Sequence, residues 1–424
     1  MTAFAAPTTE TAVTEAVRAA NSQNTAVQII AGGTRGRIGS LRSGYECLDV
    51  SGVAGITRYE PGALTLEAKA GTPIVQIEAA LDAENQMLAF EPMDHRALMG
   101  TQGTPTIGGV VACNVSGPRR FISGACRDFL LGVRFVDGQG RVIKNGGRVM
   151  KNVTGLDLTK LVCGSFGTLG VLTQVALKVL PRPERSATLQ FEGVAEAEAV
   201  GIFCKAVSTP FEVNGAAWQN GAAMLRVEGL ETQVSYRLGA LQNLFQDQNP
   251  SVLEGDAHRN LWAGIRDIHA FAKTEDTIWK VALRPTAAPA FIAAARAHLN
   301  ARAVLDQAGG LIWLAVPSSE PDQARVVRDL VPAGNGHATL VRGTTDLRCS
   351  VPVFHPQHPR LAQIAAGLRR LDIPCEIYPE PKAMKKQMKY ANQKAIPFVV
   401  LIGEEEMKTG VFTFKNMTTG DQHK

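Results

Sequence analysis

The sequence predicts an α+β protein in three parts: a strand-rich first domain over 1–183, a mixed α+β domain over 184–371 and a short α/β tail over 372–424. Three observations predict this. Three Gly-rich stations punctuate short strands in the first part, Ala-rich helices and strands intermix in the second, and the choice of basic residue changes abruptly before the third. A chain of 424 residues allows two or three domains at roughly 150 residues each. With 45% hydrophobic and 20% charged residues it can bury large cores, which excludes collagen-like, mucin-like and wholly disordered classes.

Residues 9–18 read as an amphipathic helix with Val13, Ala16 and Val17 on one face. A strand at 27–30 enters the loop Ala31-Gly32-Gly33-Thr34-Arg35-Gly36. Residues 64–70 alternate apolar and polar as a half-buried strand does, and Pro73 opens a helix to about Asn85, where proline's missing N–H costs no helical bond. Short alternating strands follow, including 132–136 and 171–179, and Pro181-Arg182-Pro183 stops the domain. A strand at 187–191 and an Ala-rich helix at 287–303 typify the second domain. Residues 1–370 hold 28 Arg and 8 Lys, whereas 371–424 hold 8 Lys and no Arg, so the tail carries a separate sequence history. It reads as a helix over 381–394, a buried strand over 398–402 and a hairpin through Lys408-Thr409-Gly410 into a strand over 411–415.

Seven cysteines, Cys47, Cys113, Cys126, Cys163, Cys204, Cys349 and Cys375, are odd in number and lack any C-x-x-C pair. That suits a reducing compartment and offers no zinc or iron–sulfur signature. A net charge of +5 is too mild to imply a nucleic-acid or membrane surface, though it leaves room for an anionic small ligand. The N-terminus lacks a signal-peptide pattern and no long apolar run follows, so the expected location is the cytoplasm, with membrane contact only through partners.

The three glycine stations carry the chemistry. Glycine tolerates positive φ, so consecutive amides of Ala31-Gly32-Gly33-Thr34-Arg35-Gly36 can converge on phosphate oxygens. This is not the Rossmann fingerprint, which needs G-x-G-x-x-G opening a helix. In the second station, Gly108, Gly109 and Ala112 leave one side nearly free of bulk for a flat ligand, with Asn114 and Ser116 close by; a tightly packed glycine hairpin is the bland alternative. The third, Gly164-Ser165-Phe166-Gly167-Thr168-Leu169-Gly170-Val171, precedes an alternating strand.

In this order, with Glu91-Pro92, Ser116-Gly117-Pro118-Arg119-Arg120, 127–133 and 149–158, these motifs resemble the flavoprotein family whose FAD domain is shared by vanillyl-alcohol oxidase and para-cresol methylhydroxylase. Within it the chain is most similar to the E-subunit family of bacterial glycolate oxidase, over about residues 10–370. The resemblance implies a two-lobed FAD-binding domain, a cap domain, and FAD held without a covalent bond, since the first loop has no His and Cys113 is the only thiol within a station. It implies that Gly32, Gly33, Thr34, Arg35 and Gly36 cradle the pyrophosphate and that Gly108, Gly109, Ala112, Asn114 and Ser116 lie along the flavin and diphosphate. Gly164, Ser165, Gly167, Thr168, Gly170 and Val171 would contact the adenosine or isoalloxazine side.

Oxidation of a 2-hydroxy acid needs a hydride acceptor, a base for the hydroxyl proton and a cation for the carboxylate. His95, His269, His337 and His355 are candidate bases, and Arg96, Arg119, Arg266 and Arg342 candidate clamps. None forms a local motif, so the catalytic residues stay open. His337 and Arg342, five apart, fall on opposite faces of a regular strand. The resemblance further implies partners, a related flavoprotein subunit and an iron–sulfur subunit of a glycolate oxidase, possible peripheral attachment at the inner membrane through them, and a small 2-hydroxy acid as substrate.

The tail resembles a different family, the anticodon-binding domain of histidyl-tRNA synthetases, in 385–392, 396–406 and 415–422. The opening strand and helix of that domain are missing. Met384, Met388, Ala391 and Ala395 read as a packed helix face, Lys382, Lys385, Lys386 and Lys389 as a solvated one, and Glu404-Glu405-Glu406 would oppose RNA nearby, so nucleic acid is not an expected partner. The leading reading is an FAD-binding oxidoreductase subunit. The competing ones are an RNA-binding or assembly module on a flavin-domain scaffold and a non-functional chimera.

Overall fold

A computed structural model describes residues 6–36, 38, 44–149, 156–332, 335–351, 368, 373, 375, 384–401 and 411–423. The chain divides into two compact units, 1–355 and 356–424. In the larger unit the first helix is Glu10–Ser22; the Thr9 hydroxyl caps it by accepting from the Ala12 N–H, and Val13, Val17 and Ala20 are buried. The strand Ala26–Ile30 pairs in parallel with Tyr45–Asp49. Beside them stands a five-stranded antiparallel sheet in the order Ile56–Glu60, Thr65–Lys69, Val171–Lys178, Leu130–Val136, Val142–Gly146. Helices Ile74–Asp82 and Ile107–Ala112 share its core with Leu66, Val133 and Val175.

The second half builds an eight-stranded antiparallel sheet in the order Ser251–Leu253, Arg185–Phe191, Ala222–Gly229, Gly215–Gln219, Arg302–Asp306, Leu311–Val316, Thr277–Leu283, Gly336–Arg342. Its two faces differ sharply. One presents Leu189, Phe191, Leu225, Trp279, Ile312 and Leu314, which pack with the helices Glu196–Val207, Glu231–Leu244 and Ala288–Leu299. Directly opposed residues of an antiparallel pair share a face, so the registers Arg226 to Gly215, Val304 to Trp313, Lys280 to Trp313 and Asp306 to Leu311 place Arg226, Lys280 and Asp306 on the other. That face meets the first lobe: Ile278, Val304, Leu311 and Trp313 belong to the same core cluster as Leu98, Ile107 and Val110.

Two expectations change. The helix expected over 287–303 is Ala288–Leu299, because Asn300 turns left-handed (φ 48°) and frees Arg302–Asp306 to pair as a strand with Leu311–Val316. A bulge beside Ile278 sets Arg342 opposite Ile278 while Thr339 opposes Lys280 and His337 opposes Ala282. The extra residue restores parity, so His337 and Arg342 share a face rather than opposing each other.

In the smaller unit Met384–Gln393 is helical and Phe398–Leu401, Thr413–Asn416 and Gln422–His423 form a three-stranded antiparallel sheet. Ala391 is buried and Met388 partly so, but Met384 and Ala395 are exposed: the first lies at the helix start and the second beyond its end, with φ 51°. The motif 151–155, Lys382, Glu404, Glu405, Glu406 and the turn 408–410 lie outside the described residues. Among the described residues no helix is long and apolar enough to cross a membrane, and no group of His, Cys, Asp or Glu could hold a metal ion.

Candidate functional site

The three glycine stations meet along the helix Ile107–Ala112, the first at its N-terminal end and the third at its C-terminal end. The Thr106 side chain caps it, accepting from the Gly109 N–H. This six-residue helix replaces the hairpin alternative. Gly108 lies so close to Ala70 that a Cβ there would come within 2.7 Å of the Ala70 carbonyl oxygen and Cβ. A Cβ on Gly32 would overlap the Thr104 carbonyl, and one on Gly103 the Gly32 carbonyl, so the backbones of the first and second stations touch. Gly33 turns at φ 68°, and the Thr101 hydroxyl donates to the Thr34 carbonyl at 3.1 Å.

The third station is tied to the second by its own amides. The Gly164 N–H donates to the Val111 carbonyl at 3.1 Å and the Phe166 N–H to the Ala112 carbonyl at 2.8 Å. A Cβ on Gly167 would stand 3.0 Å from Ile29 in the strand that feeds the first station. Asn114 accepts from the Arg127 N–H (3.0 Å), and the Ser116 hydroxyl oxygen accepts from the Cys126 N–H (2.9 Å). These two side chains fasten the segment after the helix. Gly170 adopts φ 149°, and Val171 begins the strand paired with Val136.

Among the described residues, two polar atoms of this assembly are buried without a partner: Arg35 Nη2 and Ser165 Oγ. Unsatisfied buried donors are costly and uncommon. Arg35 reaches from the first station over the second, with Nη1 3.0 Å from where a Gly109 Cβ would stand, and its Nε donates to His95 Nδ1 at 3.3 Å. A guanidinium, a hydroxyl and glycine amides, tied together and partly unsatisfied, suit the phosphate oxygens of a dinucleotide. The donors present therefore fit FAD. Beside the first station a cleft of about 460 Å³ is lined by Asp94, Arg96, Gly100, Thr101, Asp267 and His269.

The candidate bases and clamps are mostly engaged elsewhere. His95 is buried, and burial, then the Arg35 charge, pushes its pKa down to about 3. His269 and His337 are exposed, and His355 lies outside the described residues. Arg96 pairs with Asp94 and Arg266 with Asp267, each at 2.7 Å. Arg342 donates to the Leu98, Phe271 and Asp276 carbonyls, joining the cap to the first lobe. Arg119 binds Glu91 at 2.9 Å and Glu228 at 2.7 Å, and Arg226 binds Glu91 at 2.9 Å while stacking 4.4 Å from the Trp262 ring. Burial raises the Glu91 and Glu228 pKa values, but the two arginines outweigh it and hold both carboxyls below the usual range.

Sequence reasoning passed over Lys280, Asp306 and Arg120. Lys280 interrupts the apolar strand Thr277–Leu283, and Asp306 ends Arg302–Asp306 before a Gly pair. A single charge inside an otherwise apolar strand was the available signal.

A family model described as FAD binding domain matches residues 1–146, and one described as anticodon binding domain matches 350–424. Over 329 residues the chain is 35% identical to the glycolate oxidase subunit GlcE of Escherichia coli, covering 77% of this chain and 85% of that protein. A 59-residue stretch is 54% identical to the histidine–tRNA ligase of Phocaeicola vulgatus, covering 14% of this chain and 13% of the ligase. Among solved structures, p-cresol methylhydroxylase with substrate bound superposes with a TM-score of 0.59 at 14% identity, covering 87% of this chain and 86% of that one. That last likeness shows the fold alone.

Proposed function

The chain belongs to the family of the glycolate oxidase subunit GlcE, and from that premise we propose that it is the FAD-binding subunit of a complex that oxidises glycolate to glyoxylate. The observation that carries the reading is the contact of the first and third glycine loops with the second, with Arg35 Nη2 and Ser165 Oγ both buried and, among the described residues, unpartnered. Gly32, Gly33, Thr34, Arg35 and Gly36 would hold the pyrophosphate, with Gly108, Gly109, Ala112, Asn114 and Ser116 alongside it and the flavin. Gly164, Ser165, Gly167, Thr168, Gly170 and Val171 would close the opposite side. Bound FAD supplies a two-electron acceptor. The chain's own part is to place amide and guanidinium donors at the phosphates without mobile bulk and to keep the approach narrow. The three domains, in this reading, are 1–183 for FAD, 184–371 as cap, and 372–424 as tail.

The FAD is held without a covalent bond, and the partners are a related flavoprotein subunit and an iron–sulfur subunit that takes the electrons onward. The test is the visible spectrum of the gently purified chain. A flavin band that bleaches with glycolate supports the reading. Release of the flavin on acid precipitation supports dissociable binding, and colour remaining with the precipitate overturns it. Absence of flavin after incubation with FAD overturns the whole proposal.

A further inference from the structure

Two bidentate ion pairs cross between the first lobe and the cap, and they run in opposite senses. Arg226 of the cap strand Ala222–Gly229 donates from Nη1 and Nη2 to the two carboxylate oxygens of Glu91, each at 2.9 Å. Arg119 of the first lobe donates from Nε and Nη2 to the two oxygens of Glu228 on the same cap strand, each at 2.7 Å. Arg119 Nη1 also lies 2.9 Å from Glu91, so the four groups form one connected set whose charges cancel. Ser186 and Asn214 of the cap complete the Glu228 side, donating to it at 3.1 and 2.6 Å. The four side chains are only 1–13% exposed, and charges so buried are stable only while their partners stay in place.

The set ends on the flavin side of the first lobe. Glu91 holds φ 47°, a left-handed conformation that a non-glycine residue keeps where its surroundings fix it. Its carboxylate accepts the Arg119 N–H at 2.8 Å, and the Phe90 carbonyl accepts the Gly117 N–H at 2.8 Å. A Cβ on Gly117 would stand 2.5 Å from the Glu91 carbonyl oxygen. Two backbone donors and a close approach thus lay the segment 116–119 along residues 90–91. Ser116 opens that segment, and its hydroxyl oxygen holds the Cys126 N–H at 2.9 Å. Without Arg226, Glu91 would share one guanidinium with Glu228, and water would compete for its carboxylate and so free the Arg119 N–H.

We infer that Arg226 and Glu228 are positioning residues for the cofactor: from the cap they form a latch on Glu91 and Arg119, and through these hold the segment 116–119 in the shape that receives FAD. The inference rests on the flavin reading above and deepens it, because cofactor affinity then depends on a cap strand that lends no group to the glycine stations. Linkage makes the effect reciprocal, so FAD tightens the docking of the cap by the factor by which the docked cap tightens FAD.

The test is fluorescence titration of the full apo chain with FAD, paired with hydrogen exchange at the Gly117 and Arg119 amides. Arg226→Met and Glu228→Gln are each expected to weaken FAD binding about 5–150-fold, the range for coupling between sites. Arg226→Lys, which keeps the charge but loses the fork, should fall between them and the wild type. In Arg226→Met without FAD, both amides should speed up by a larger factor than those of the strand Val171–Lys178. Leu225→Ala is the control: this neighbour points to the apolar face of the same strand, so it costs stability without touching the ion pairs and should leave FAD affinity unchanged. Unchanged FAD affinity in folded Arg226→Met overturns the inference. An equal loss in Leu225→Ala also overturns it, since affinity would then follow cap stability alone. Should Arg226→Met fail to fold, Glu228→Gln, which keeps the side-chain shape, decides by the same readouts. FAD uptake indifferent to these variants removes the latch and leaves the flavin reading standing, whereas wild-type protein that takes up no FAD removes both.

Discussion

Arg35 is the residue on which the site depends most directly. Its Nη2 is buried and unpartnered while its Nε is fixed on His95. Arg35→Met keeps the stem and removes the donors, so retention of FAD should weaken about 10–100-fold while the apo protein melts at a similar temperature, which paired equilibrium dialysis and thermal scans check. His95 makes a prediction about acid. Its folded pKa of about 3 lies below the ordinary value of 6.5, so the unfolded chain takes up a proton that the folded chain refuses. Its contribution to stability is full above about pH 6.5 and declines as the pH falls toward 3. Compared with His95→Gln, the wild type should lose about 2 kcal/mol more between about pH 6.5 and pH 5, measured by denaturant unfolding at each pH.

At the scale of elements, the cap sheet shows how one face is made apolar and the other charged. Arg226 is 1% exposed between two carboxylates and a Trp ring. Removing it alone leaves Arg119 against both Glu91 and Glu228, one buried negative charge in surplus, so Arg226→Met is expected to cost about 3–5 kcal/mol in denaturant titrations. Adding Glu91→Gln should return part of that loss, which a double-mutant cycle reads directly. The turn Gln307–Gly309, strained at two successive left-handed residues before its glycine, behaves oppositely. Ala308→Gly relieves a left-handed alanine (φ 57°) and is expected to raise stability by about 0.5–1 kcal/mol net of glycine's entropy. The expected helix over 287–303 is present but ends at Leu299, which is decided at the same scale. Composition favoured continuation, but the left-handed Asn300 and the demand for a strand beside Leu311–Val316 ended it.

For the whole molecule, the larger unit ends at 355 and contains the glycine stations and both large sheets. Cutting the chain after residue 370 is therefore expected to leave its main unfolding transition and its flavin content unchanged, as calorimetry and absorbance of the truncated and full chains would register. A fall in flavin content would mean that residues beyond 370 support the cofactor site.

The three glycine stations, the strands at 27–30 and 171–179 beside them and the break in composition were legible because they depend on local chemistry: glycine at positive φ, alternation of side chains, and residue choice. The sequence by itself therefore determined the FAD-type lobe and the foreign character of the tail. Only tertiary structure decided which charges meet. Arg119 and Arg342 looked available along the chain, yet one is spent on Glu91 and Glu228 and the other on backbone carbonyls. Arg226 and Glu91, 135 positions apart in sequence, meet because sheet register and lobe packing bring them together. Electrostatic pairing depends on distance in space, and no spacing rule along the chain encodes that distance.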